Sequence, residues 1–185
     1  SSMMGDETIV KAIKSAREDE DIKAILLRID SGGGSAYASD QMWHEVRKTT
    51  DLELATTEKD TSNIKPFIAS MSGVAASGGY YIACQADTIV AHPATITGSI
   101  GVIGLRLNIS QLLNKIGIRS DIIKNGENAD FMDGSRLISN EERKKIQAII
   151  NDIYEQFKNN VIAGRDDMPV PKRIESVAQA SARID

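Results

Sequence analysis

An α/β fold is predicted for this chain by two features of its sequence. Apolar, β-branched runs of strand length alternate with amphipathic stretches of helical period. Two of those runs end in clusters of small residues, the pattern of a strand that turns sharply into a helix. Residues Glu7 to Arg17 carry Ile9, Ala12, Ile13 and Ala16 at helical spacing and form the first amphipathic helix. Lys23 to Ile29 is a leucine- and isoleucine-rich strand expected to be buried on both faces for part of its length. It ends at Asp30-Ser31-Gly32-Gly33-Gly34-Ser35, after which Tyr37 to Lys48 is helical with Met42, Trp43 and Val46 on one face. Asp51 to Asn63 is polar and reads as a surface loop.

Pro66 to Met71 is the second strand, followed by a turn of small residues and a helix to about Gln85. A short strand at Thr88 to Ala91 precedes the glycine-rich segment Pro93 to Gly104. A short helix over Ile109 to Ile116, a strand over Ser120 to Lys124 and an irregular polar loop from Gly126 to Arg136 follow. Ser139 opens the longest helix, with Glu142 at capping-box spacing and Ile146, Ile149, Ile150, Ile153, Tyr154 and Phe157 on its inner face. Pro169 and Pro171 mark a turn, and Ile174 to Ala182 is a short terminal helix. Residues 1–185 are expected to form a single domain.

Composition narrows the function. Aromatics are only 4% and the net charge is −4 without a long basic run, which argues against nucleic-acid binding. The single cysteine, Cys84, cannot form an intramolecular disulfide. His44 and His92 lack cysteines or acidic residues at metal spacing and read as structural, so no metal or cofactor is expected. No apolar run reaches membrane-spanning length, and no signal peptide is visible. The opening Ser1-Ser2-Met3-Met4 reads as a cut edge, so an anchor or another domain in a longer parent is expected.

The chemistry concentrates in Ser70 to Tyr81. Ser77, followed by Gly78 and Gly79, falls where a strand meets a helix N-terminus, which offers access for a nucleophile and free N–H donors for an oxyanion. Taken alone, the same residues read better as a helix cap with glycines for close packing, and it is the rest of the chain that favours the nucleophile. The Asp30 to Ser35 loop reads either as a phosphate cradle, without P-loop or dinucleotide-fingerprint spacing, or as the source of a second oxyanion donor from Gly33 or Gly34 beside that of Gly78. Two strand-to-helix turns on one sheet edge can face each other across a crevice.

Three blocks together resemble the signal peptide peptidase A family. They are Arg28-Ile29-Asp30-Ser31-Gly32-Gly33-Gly34-Ser35, Ser72 to Tyr81, and Thr97-Gly98-Ser99-Ile100-Gly101-Val102. Gly32 stands where the family usually has proline. The resemblance implies a ClpP/crotonase-like fold of repeated ββα units and a serine peptidase that degrades cleaved signal peptides. It also implies Ser77 as nucleophile, Gly33, Gly34 and Gly78 at the oxyanion hole, and Ser99 as the serine that hydrogen-bonds a dyad lysine. The base in this family is a lysine, in a Ser–Lys variant of the catalytic triad.

The lysine itself is missing. The short members' "K-S-G-x-Y-K-D" pattern corresponds to Lys124-Asn125-Gly126-Glu127-Asn128-Ala129-Asp130, which puts Ala129 at the base position. Three explanations stand: a C-terminal half whose lysine comes from a tandem domain or a neighbouring subunit, an introduced lysine-to-alanine change, or a natural inactive homologue. The first is favoured, because Asn128, Phe131 and Asp133-Gly134-Ser135 depart from the short pattern as well. Lys124 is a substitute base or a surface lysine. The chain also stops before the family's final "G-L-V-D", in keeping with a fragment.

The resemblance further implies peptide partners, a homo-oligomer or tandem neighbour, and a membrane-anchored parent whose catalytic domain lies outside the cytoplasm, the fragment itself being soluble. The small residues around Ser77 suit a groove that binds an extended peptide by strand addition. The long helix should pack Phe157 and Val161 on a neighbour. A crotonase-type acyl-thioester enzyme and a non-catalytic peptide-binding or assembly module are the competing functions.

Overall fold

The computed structural model describes residues 6–54, 57 and 61–165. Its elements are α1 (Asp6–Glu18), β1 (Ile25–Ser31), α2 (Ala36–Thr50), a 3-10 turn (Leu52–Leu54), β2 (Phe67–Ala76), α3 (Gly78–Ala83), β3 (Thr88–Val90), β4 (Ile96–Gly98), which the sequence analysis does not anticipate as a strand, α4 (Ser110–Lys115) and α5 (Asn140–Arg165). The expected helix over residues 174–182 lies outside the described residues. The chain divides into two compact units. One takes in the described residues through Gly101 and from Glu155, and the other runs Val102–Tyr154.

The first unit is built on a parallel sheet with β2 at its centre. β1 lies along one edge of β2, from Ile25 opposite Phe67 to Ser31 opposite Ala75. The other edge of β2 is shared, with β3 against Ile68–Ser70 and β4 against Val74–Ala76. Parallel neighbours need a crossover, and α2 supplies it between β1 and β2. Both strands therefore end on the same edge of the sheet. The core is formed by Ile13, Ile29, Val46, Phe67, Ala69 and Met71, with Ile82 and Ala83 from α3.

Polar groups tie the elements where apolar contact ends. Arg17 in the last turn of α1 stands 2.5 Å from the carboxylate of buried Glu45 on α2. The buried Lys65 ammonium donates to the carbonyls of Ala16 and Asp19 at the C-terminal end of α1. Cys84 is a free, fully buried thiol, and burial pushes its pKa up to about 12.

Several expectations are corrected. β1 is buried on one face only, and Leu26 is 65% exposed. The strand ahead of Ser77 does not stop at Met71 but continues through Ser72-Gly73-Val74-Ala75-Ala76. The pairing of β1 with β2 slips between Ile29 and Ser31, where β2 carries extra residues. There the Asp30 side chain accepts from the Val74 N–H at 3.1 Å, and Arg28 donates to Ser72 Oγ at 3.0 Å. These local side-chain bonds hold the strand where the ladder does not.

The predicted packing of Phe157 and Val161 on a neighbour is overturned as well. Both are buried by this chain, Phe157 to 3% exposure and Val161 to 1%. The Phe157 ring lies 4.7 Å from that of Tyr81. Arg165 donates to the carbonyls of Ala83 and Ala86 at the end of α3. The end of α5 is thus a wall of the first unit's core.

In the second unit, Ser139 and Glu142 form the expected capping box, with Glu142 N–H on Ser139 Oγ at 3.1 Å and Ser139 N–H on the Glu142 carboxylate at 2.8 Å. Arg136 joins that carboxylate to Asp130. The hydrogen bonds from Arg136 are the main cause that lowers the pKa of both carboxyls, that of Glu142 to about 2. Ser120 to Lys124 is not a strand: it pairs with no other strand among the described residues, and Ile123 is fully exposed. A β-branched run without a ladder partner gains nothing from its propensity.

Candidate active site

Ser77 occupies the single residue between the end of β2 and the start of α3. Its backbone is held at φ 51° and ψ −120°, a conformation rare outside glycine that costs about 1–3 kcal/mol. Two bonds fix it there. Its N–H donates to the Gly98 carbonyl at the end of β4, 2.9 Å away, and its own carbonyl accepts from the Tyr81 N–H at 2.9 Å. The side chain is half-buried and caps no helix N–H. A serine in this position is not serving as an N-cap.

The glycine loop after β1 lies directly against this turn. A Cβ placed on Gly33 would fall 2.7 Å from Ser77 Cβ, 2.7 Å from Gly78 N and 3.0 Å from Ser77 Oγ. Gly33 also has φ +100°, which itself favours glycine. On the other side, a Cβ on Gly78 would meet the Gly33 Cα at 3.2 Å, the Gly34 N at 3.4 Å and the Ser39 hydroxyl. Ser77, Gly78, Gly33 and Gly34 are therefore brought together where the two turns end on one sheet edge.

The donors differ in availability. Ser77 N–H is committed to Gly98, and Gly33 N–H donates to Ser31 Oγ at 3.2 Å. Gly78 N–H, at the open end of α3, and Gly34 N–H make no hydrogen bond among the described residues. Both belong to residues packed against the Ser77 turn.

Ser99 follows Gly98 at the end of β4, exposed and with φ 52°. Ala129 is exposed within a turn of the second unit, its N–H on the Gly126 carbonyl at 3.3 Å. Lys124 is not a free amine: its ammonium lies 2.6 Å from the Asp130 carboxylate and donates to the Glu127 carbonyl at 2.8 Å. His44 faces Asp40 at 3.5 Å, and His92 accepts from the Ala94 N–H at 3.1 Å. Among the described residues no group of three or more His, Cys, Asp or Glu is placed to hold a metal ion.

Residues 59–183 match the family described as Peptidase family S49. The chain belongs to that family. Among S49 relatives, Serine protease SPPA, chloroplastic, of Arabidopsis thaliana is 41% identical over 94% of this chain and 24% of its own length. Protease 4 of Salmonella typhi is 36% identical over 95% of this chain and 26% of its own. The S49 chain spans about a quarter to a half of the length of the first curated relatives it matches. A crystal structure of "a putative enoyl-CoA hydratase/isomerase" from Acinetobacter baumannii aligns with 97% of the chain and 82% of its own at 20% identity, with a TM-score of 0.35, and carries no weight here. The α/β, ClpP/crotonase-like fold class follows from the family and the parallel sheet of the first unit.

Sequence reasoning missed three side chains that frame the turn. Asp30 holds the irregular part of β2, Ser39 packs on Gly78, and Asp40 reaches the Tyr81 hydroxyl. The arginine-to-aspartate spacing of the first block carried a signal for Asp30. Nothing local marked Ser39 or Asp40.

Proposed function

We propose that this chain is the serine-bearing part of an S49 peptidase that cleaves signal peptides left after export. The observation that carries the reading is the Ser77 turn, a strained serine at a strand end with the backbone of Gly33 against its hydroxyl and two unused N–H groups beside it. Ser77 Oγ attacks the scissile carbonyl. The carbonyl oxygen takes up negative charge between the N–H groups of Gly78 and Gly34. The hydroxyl proton passes to a neutral lysine, which returns it to the leaving amine, and water then releases the acyl group from Ser77.

That lysine is supplied by a tandem domain or a second copy, because the position that would hold it here is Ala129. Lys124 is a poor substitute with its ammonium engaged by Asp130. Ser99 orients the incoming lysine from its place after Gly98. The substrate class comes from the family's resemblance and from relatives named as signal peptide peptidase or serine protease. The parent protein is membrane-anchored with this part outside the cytoplasm; among the described residues no helix is long and apolar enough to cross a membrane.

A second reading, a peptide-binding or assembly module without catalysis, is favoured by Ala129. A fluorophosphonate probe separates the two in the parent protein. Labelling that maps to Ser77 and vanishes in Ser77→Ala supports the peptidase. Folded parent that stays unlabelled supports the module. This chain alone should label slowly, since a general base contributes about 10²–10⁴-fold.

A further inference from the structure

Helix α3 has six residues, far fewer than an isolated helix needs to be stable in water. Its first N–H is one of the two available donors, so whatever holds α3 also holds that donor. At its N-terminal end α3 rests on Ser39, whose hydroxyl lies where a Cβ on Gly78 would project. The next residue of α2, Asp40, takes the other end. The Tyr81 hydroxyl donates to Asp40 Oδ1 at 2.8 Å, and Tyr81 is the residue whose N–H binds the Ser77 carbonyl. Asn160 of α5 donates to the same hydroxyl at 2.6 Å, and Gln156 donates to the same Asp40 oxygen at 2.8 Å. His44 Nε2 faces the second carboxylate oxygen at 3.5 Å.

We propose that Asp40 is a positioning residue for the Ser77–Gly78 turn, acting through the Tyr81 hydroxyl; the inference rests on the peptidase reading. Asp40 is the one carboxylate in the cluster, and it receives the hydroxyl that α3 presents and the amide that α5 presents. The hydroxyl remains a donor, because burial first and the Asp40 bond second raise the Tyr81 pKa. With the carboxylate gone, the Tyr81 hydroxyl keeps only the bond it accepts from Asn160, and α3 loses a tie that sets its rotation about its own axis. Such a rotation moves the Gly78 N–H away from the carbonyl that Ser77 attacks.

The test uses the parent protein with Asp40→Ala, Asp40→Asn and Tyr81→Phe, and Ser77→Ala as reference. Asp40→Ala and Tyr81→Phe should each lower kcat by about 10²-fold with KM unchanged, the scale of an ångström-sized misplacement. The double variant should be no worse than the poorer single one. Asp40→Asn keeps an acceptor for the hydroxyl and should recover most of the loss. Hydrogen exchange at the Tyr81 N–H should quicken about tenfold in Asp40→Ala, return in Asp40→Asn, and leave the amides of Leu27 and Ala69 unchanged. Wild-type kcat in Asp40→Ala, no rescue by Asp40→Asn, or faster exchange at Leu27 and Ala69 as well would each overturn the proposal. Wild-type turnover that survives Ser77→Ala would instead overturn the peptidase reading, and the exchange measurement would still decide whether Asp40 holds α3.

Discussion

A Cβ on Gly33 would have to share space with both Ser77 and the Gly78 N–H, at 2.7 Å from each. Real Cβ contacts do not come that close, so Gly33→Ala must push the loop away from the turn or push the turn itself. Either motion separates the Gly34 N–H from that of Gly78. Loss of one oxyanion donor costs about 10²–10³-fold in kcat. Gly33→Ala should therefore lower the rate of Ser77-dependent turnover by that order in the parent protein. The positive φ adds about 1–2 kcal/mol of destabilisation, readable as a lower denaturant midpoint. An unchanged rate would show that the loop is not part of the oxyanion site.

At the scale of elements, the start of α5 carries a pH dependence. Glu142 bonds to Arg136 and to the Ser139 N–H, and these lower its pKa from 4.5 to about 2. A carboxyl with a depressed folded pKa stabilises fully above its unfolded pKa, and that contribution disappears as pH falls through the folded value. Glu142→Gln should thus lower the thermal midpoint at neutral pH. The gap to wild type should close between about pH 4.5 and pH 2, in a scan of midpoint against pH. Legibility in the sequence follows the same line between local and distant contacts. The Ser139–Glu142 capping box spans three residues and could be read directly. So could the turn at Ser77, because small residues after an apolar strand are a local signal. The extension of β2 through Gly73 could not: its support is the Asp30 side chain and the pairing with β4, both far away in sequence. The bonds of Tyr81 to Asp40 and Asn160 were invisible for the same reason, being 41 and 79 residues away.

At the scale of the whole molecule, the second unit presents a large amount of apolar surface. Ile103 is 92% exposed, Leu105 80%, Leu107 71% and Ile123 fully so. Apolar residues in that number are uncommon on a free surface. On the proposed reading, in which the base comes from outside this chain, a second copy or a tandem domain is the expected neighbour. The chain should self-associate in sedimentation experiments at high concentration, and replacing Leu105 and Ile123 by lysine should shift it toward the monomer. A chain that is monomeric throughout, before and after that change, would contradict the expectation.

Cys84 turns the end of α3 into its own clock. The thiol is the chain's only one, it is sealed between Tyr81 and the end of α5, and burial keeps it un-ionised at neutral pH. A thiol-directed reagent can reach it only during moments when α3 and α5 part. Each molecule can then be tagged once, with a mass change that marks the event. The tagging rate counts how often the helix behind Ser77 comes loose, in a protein that needs no introduced cysteine to report it.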